Sequence, residues 1–159
     1  DGTCGNSTGN SIYLETTGLY EHHVQIISPI STIDNIVKKR RVGPFQFMKL
    51  DIQGAEVSAL RGANITLKTV EVILTEAPVA NYNSGSPTFF QLHALLHEKG
   101  YEIFDITSLV RGVGNMDKGV LIQFDILWVH FTSKLWSREC TGYPNRYDAK
   151  SDIGHVVSH

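Results

Sequence analysis

Cysteine is scarce in this chain of 159 residues, Cys4 and Cys140 being the only two. A disulfide framework is therefore excluded, and one bridge between the two ends is the single pairing open to them. No CxxC pair is present, so there is no thiolate clasp for zinc. No apolar run reaches the roughly 18 residues that a membrane-crossing helix needs. Asp1-Gly2-Thr3-Cys4-Gly5-Asn6 lacks the form of a signal peptide. Neither sign of charge prevails: 14 Lys and Arg stand against 16 Asp and Glu, a formal charge of −2. That balance speaks against nucleic acid or an anionic membrane held by bulk charge, and the basic run Lys38-Lys39-Arg40-Arg41 is short. Internal repeats, low-complexity tracts and a GxSxG nucleophile elbow are also missing. What remains is an ordinary composition, 42% hydrophobic and 19% charged, on a length that suits one domain. The expectation is a soluble protein, cytoplasmic by default, whose oligomeric state the sequence leaves open. Asn6-Ser7-Thr8 and Asn64-Ile65-Thr66 fit the glycosylation sequon, a triplet common by chance, and do not settle the compartment.

The periodicities predict an α/β order. Ser11-Ile12-Tyr13-Leu14 and Val24-Gln25-Ile26-Ile27 read as short strands of an antiparallel excursion around His22 and His23. Ser31 is expected to cap a helix in which Ile33, Ile36 and Val37 share a stripe and Asp34 favours the first turn. Phe45–Leu50 reads as a strand broken by Asp51-Ile52-Gln53-Gly54. A helix from about Ala55 follows, with Val57, Leu60, Ala63 and Leu67 on one side. Val70–Leu74 is a second strand, and Ser86-Pro87-Thr88 starts a helix with Ser86 as cap and Phe89, Leu92 and Leu96 inward. Tyr101–Ile106 and Ile122–Phe131 are two further strands. The first three of these strands are expected to be joined by crossovers in a largely parallel sheet, with the last entering antiparallel as a hairpin. Residues 137–159 read as a polar tail with little core.

In an open parallel sheet, ligands bind beyond the carboxyl ends of the strands, and Asp51 and Glu76 fall there. Asp51 suits a general base, a metal ligand or a substrate anchor, and Glu56 follows it in the first helical turn; both also suit the plain role of satisfying a helix N-terminus. Glu76, just before Ala77-Pro78, is equally a solvated loop acid. Lys49, in mid-strand, calls for a carboxylate partner. His93 and His97 have the i, i+4 spacing of some zinc sites but no HExxH and no third ligand, so two exposed histidines are the expected outcome. Gly112-Val113-Gly114-Asn115 is followed by no helix and reads as a connection, not a phosphate loop. No metal site is expected.

Phe47-Met48-Lys49-Leu50-Asp51-Ile52-Gln53-Gly54-Ala55-Glu56, continuing to Leu60-Arg61-Gly62-Ala63, resembles the signature of the FkbM-type methyltransferases. The resemblance extends over roughly residues 10–131. Ser31-Thr32-Ile33-Asp34 resembles the helix start ahead of the signature, and Val72-Ile73-Leu74-Thr75-Glu76 the strand behind it. Gly100-Tyr101 with Phe104-Asp105-Ile106, and Gln123-Phe124-Asp125-Ile126-Leu127-Trp128, resemble the last two strands. The resemblance implies a partial Rossmann-like fold, mostly parallel with an antiparallel last strand. It also implies S-adenosylmethionine as methyl donor and a hydroxyl on a small molecule or sugar as acceptor. Asp51, Glu56 and Glu76 take the catalytic places, and Asp51, Gln53 and Gly54 the cofactor-binding ones.

The family's first half, which carries the Gly-containing acidic loop for the cofactor and the acid for its ribose, has no counterpart here. The chain is therefore expected to be a C-terminal portion of the domain over residues 1–136. Weak or no S-adenosylmethionine binding is expected of it alone. Two other readings follow from the same residues: a non-catalytic interaction module derived from a methyltransferase, and a hydrolase holding Mg²⁺ on Asp51, Glu56 and Glu76. Tyr20 and the loop Asn81-Tyr82-Asn83 are the candidates for shaping an acceptor pocket.

Overall fold

A computed structural model describes residues 11–15, 26–79, 83–112 and 119–137. The chain runs β1 (Leu14–Glu15), α1 (Ile33–Arg40), β2 (Phe47–Leu50), α2 (Glu56–Arg61), β3 (Val72–Pro78), β4 (Asn83–Ser84), α3 (Phe89–Glu98), β5 (Tyr101–Arg111) and β6 (Leu121–His130). Single 3-10 turns lie at Thr66–Lys68 and Lys134–Trp136.

Each long helix starts later than the first hydroxyl of its cap sequence. Thr32, not Ser31, caps α1, its Oγ1 accepting from Asn35 N at 3.2 Å. Thr88, not Ser86, caps α3, because Gln91 three residues on reaches back to the Thr88 amide and completes a capping box. The Ser86 hydroxyl is spent on the carbonyl of Asn83, at 2.9 Å. Asp34 does more than complement a helix dipole: its carboxylate accepts from the amides of Ile65 and Thr66 and from the Thr66 hydroxyl, at 2.7–2.9 Å. Burial opposes its ionisation, but these donors outweigh burial and hold Asp34 below its usual pKa. The last turn of α1 is basic, which suits the negative end of the helix, and Arg41 closes it in the left-handed conformation at φ 55°.

The large sheet has the order β2-β3-β6-β5. β2 and β3 are parallel, whereas β6 is antiparallel to both β3 and β5. The expected mostly parallel sheet is therefore corrected: three strands share a direction, but the one opposed strand lies between two of them, so two of the three ladders are antiparallel. The reason is burial. Ile126, Trp128 and Val129 are fully buried although their side chains alternate between the two faces, and only an interior strand can meet that demand. The expected hairpin between the last two strands is present, with Gly112 N donating to Val120 O at its base.

Two short strands come together differently from expectation. β1 pairs antiparallel with β4, in register Leu14 with Ser84. Ile26 and Ile27 form no strand and are exposed, while Val24, Gln25, His22 and His23 lie outside the described residues.

α2 and α3 bring Val57, Leu60, Leu92 and Leu96 into one core with Leu50, Ile73, Ala77, Ile126 and Trp128. The residues anticipated on one helical stripe, Val57, Leu60, Ala63 and Leu67, are all buried, but α2 ends at Arg61 and Leu67 lies in the separate 3-10 turn. Polar atoms inside this core are paired. Trp128 Nε1 donates to Thr75 Oγ1 at 2.9 Å, and the Tyr101 hydroxyl lies 2.7 Å from Val70 O and 3.1 Å from Leu67 O. Burial pushes the Tyr101 phenol up to about 12. The other sheet face carries Phe47, Lys49, Leu74, Glu76, Asp125 and Leu127 by strand alternation. Trp136 closes one end of the sheet, packing on Phe104 with its indole N–H on His130 O. No helix among the described residues is long and apolar enough to cross a membrane.

The Tyr101→Phe substitution leaves two buried carbonyls without their donor. It should lower unfolding free energy by about 1–2 kcal/mol in urea titrations, with the slope against denaturant unchanged.

Candidate active site

The turn that leaves β2 is built from two successive left-handed residues, Gln53 at φ 52° and Gly54 at φ 98°. A non-glycine residue adopts that conformation only when its surroundings hold it. Here the carbonyl of Gln53 is held twice, by the Ser11 hydroxyl at 2.7 Å and by Asn83 Nδ2 at 3.2 Å. Gly54 is packed against the same two segments. A Cβ added there would lie 2.9 Å from Ser86 Cβ and 3.3 Å from the Tyr13 ring. The β1–β4 pair thus acts as a strap across the turn.

With its backbone held, Gln53 sends its side chain to β3, where Nε2 donates to Glu76 Oε2 at 2.9 Å. The other oxygen of Glu76 accepts from Gln123 Nε2 of β6, also at 2.9 Å. Glu76 is not a loop acid but a strand residue, since β3 continues through Pro78. Asp51, just past β2, accepts from Lys49 Nζ at 3.1 Å, an exposed ion pair that supplies the partner expected for Lys49. That bond raises the Lys49 pKa, and the charges of Asp51, Asp125 and Glu76 add to it. Glu56 is buried and turns back on the loop, its Oε1 3.2 Å from Ile52 N.

Two of the carboxyls are harder to ionise than a free glutamate. Burial raises Glu56 first, against the amides of Glu56, Ile52 and Gly54, and the charge of Asp51 adds to it. Burial also raises Glu76, followed by the charge of Asp51, with the Gln123 amide opposing and Asp125 and Glu56 reinforcing. The structure therefore brings together Asp51, Gln53, Glu56 and Glu76 around the turn made possible by Gly54, all at the carboxyl ends of β2 and β3. Sequence reasoning did not single out Gln123, Asp125, Ser11 or Asn83 for this turn. The β6 pair was visible only as part of a strand, and nothing local says that this strand lies beside β3.

The site is an open rim. One surface hollow lies away from it, lined by Leu67–Glu71 with His130, and another beside the turn is lined by Ile30–Ile33 with Ala55 and Ser58. Among the described residues no three His, Cys, Asp or Glu side chains converge so as to hold a metal ion. His97 Nδ1 lies 2.6 Å from Glu102 Oε1, while His93 stacks on His97 and meets the edge of Trp128. His93 is thus half-buried rather than exposed, because it fills the groove between Phe89 and Trp128. Tyr20, Asn81 and Tyr82 lie outside the described residues, as does the loop at 113–118.

The mixed α/β sheet carries an acidic turn at the carboxyl end of a parallel strand pair, the end at which open α/β sheets generally bind ligands. The Methyltransferase FkbM domain model matches residues 2–103, more than half of the chain, and the chain belongs to that family of methyltransferases. No curated protein and no solved structure matches it. The matched stretch contains the whole strap and turn, whereas β6, which supplies Gln123, lies beyond it.

Two outcomes follow. Gly54→Ala combines a disfavoured φ with a collision against Ser86, and should lower stability by about 1–3 kcal/mol in chemical denaturation. Glu56 has a folded pKa above its ordinary value of 4.5, so the folded state holds the proton more tightly and stability falls as pH rises above that value. Glu56→Gln should flatten this decline in urea titrations run from pH 4 upward.

Proposed function

We propose that this chain takes part in S-adenosylmethionine-dependent O-methylation of a hydroxyl on a small molecule or sugar, through the acidic turn at the end of β2. Membership of the FkbM methyltransferase family is the observation that carries the reading. The donor set would suit the cofactor's charge: Asp51, Glu76 and Asp125 are acids gathered around Lys49, and the cofactor's sulfonium and ammonium groups are cationic. When bound, the cofactor supplies the methyl group. Asp51, Gln53 and Gly54 are the residues proposed to hold it. Asp51 would orient the acceptor hydroxyl and Glu76 would receive its proton, as the oxygen lone pair forms the new bond to carbon and the carbon's bond to the donor sulfur breaks. Glu56 keeps the turn in shape through the Ile52 amide and adds negative charge behind it.

The fold around the turn is proposed to be the Rossmann-like methyltransferase arrangement, in a domain reaching to about residue 136 and followed by a polar tail. Within the described residues β2 is an edge strand, and no cofactor loop lies beside it. This chain alone is therefore proposed to bind S-adenosylmethionine weakly or not at all. Calorimetry should give no saturable micromolar binding, and micromolar binding would overturn that part.

Transfer itself is tested with methyl-labelled S-adenosylmethionine at millimolar concentration over a panel of hydroxylated small molecules and sugars. Label should appear in a hydroxyl acceptor and fall by roughly 100-fold or more in Asp51→Asn, the scale of a misplaced acceptor. Transfer that survives this substitution would remove Asp51 from the chemistry.

A further inference from the structure

Asp125 stands directly across the β3–β6 ladder from Glu76. Cross-strand partners place their Cβ atoms roughly 5 Å apart, and like charges so placed repel. A sheet normally sets a cation or a hydroxyl opposite a glutamate. Here the nearby cation, Lys49, lies on the strand to the other side of Glu76, opposite Leu74, and is already bonded to Asp51. Moreover, Asp125 Oδ1 is buried and accepts no hydrogen bond from the described residues. Both oxygens of Glu76, by contrast, are taken by the amides of Gln53 and Gln123. An acid opposite an acid, one oxygen without a donor, weakens the sheet and adds nothing to its packing.

The groups facing Glu76 come from every surrounding element. They are Lys49 and Asp51 from β2 and its turn, Glu56 from α2, Asp125 from β6, and the amides of Gln53 and Gln123. Beyond Asp125, β5 presents Ser108 opposite it and Asp105 opposite Leu127. Asp125 is the only one of the acids joined to Glu76 as a ladder partner. It is thereby fixed in place by the backbone, whereas Asp51 is exposed and sits beyond the end of its strand.

We propose that Asp125 is a positioning residue of the site: its carboxylate, fixed across the ladder, makes Glu76 readier to take the proton that leaves the acceptor hydroxyl. The inference rests on the methyl-transfer reading for its use, but the coupling between the two carboxyls is measurable without cofactor or acceptor. In the transfer, the O–H bond breaks and its proton goes to the Glu76 carboxylate, while the oxygen electron pair forms the bond to the methyl carbon as that carbon's bond to the donor sulfur breaks, its electrons staying on sulfur. The negative charge of Asp125 favours that protonated product and disfavours two adjacent carboxylates. Glu76, held by two amide donors, is kept pointing at the rim throughout.

The test is a carbon-13 NMR titration of the full chain labelled at the glutamate carboxyl carbon, with the Glu76 signal assigned through Glu76→Gln. Asp125→Asn and Asp125→Ser should each lower the proton affinity of Glu76, by about tenfold for the loss of one adjacent like charge. Glu56, which does not face Asp125, should titrate as before. An unchanged or higher Glu76 midpoint in either folded variant overturns the proposal. So does a parallel movement of Glu56, because it would mean general loosening instead of a lost charge. Failure of the methyl-transfer reading would show instead in the labelled-methyl assay, which this titration does not use.

Discussion

A strand whose side chains must be buried on both faces has to lie inside a sheet, and β6 is that strand. Ile126 and Trp128 enter the helix-covered core while Val129 is buried on the opposite face. Placing β6 between β3 and β5 sets the sheet order, converts two ladders to antiparallel and lets the Trp128 indole find Thr75. The same placement brings Gln123 and Asp125 beside Glu76. A requirement of packing at one end of β6 thus decides the electrostatics at the other.

The second constraint is the turn at Gln53 and Gly54. Its two left-handed residues would be unfavourable in isolation, and the strap formed by β1 and β4 offsets that cost by two hydrogen bonds to one carbonyl and close contact at Gly54. The turn ends β2 abruptly and aims the Gln53 side chain across to β3. The acidic rim therefore follows from backbone geometry: the carboxyls are set by strand register, the amides by the strap. Because its oxygens meet neutral amides and not cations, Glu76 remains a group that can exchange a proton.

The family match makes the chain a member of a methyltransferase family, and the structure adds which side chains stand together at this rim. The helix-covered face of the sheet is a finished core. The face bearing Lys49, Glu76 and Asp125 is more open, with Phe47 and Val110 exposed among the described residues.

Much of this was legible from residue order. The helices at Ile33–Arg40 and Phe89–Glu98, the four strands of the large sheet, the hairpin into β6, the buried stripe from Val57 to Leu67 and the Asp51–Glu56 turn all follow from local periodicity and turn chemistry. The caps were missed by one or two positions, since a hydroxyl ahead of a helix can be claimed by another partner, as Ser86 is by Asn83. The sheet order, the pairing of β1 with β4 and the company of Glu76 were not legible. Local sequence determines what each segment prefers to be, because propensity and periodicity act over a few residues. Which strand lies beside which was decided only by tertiary structure, because burial on both faces and contacts as distant as Trp128 with Thr75 or Gln123 with Glu76 exist only once the chain has folded.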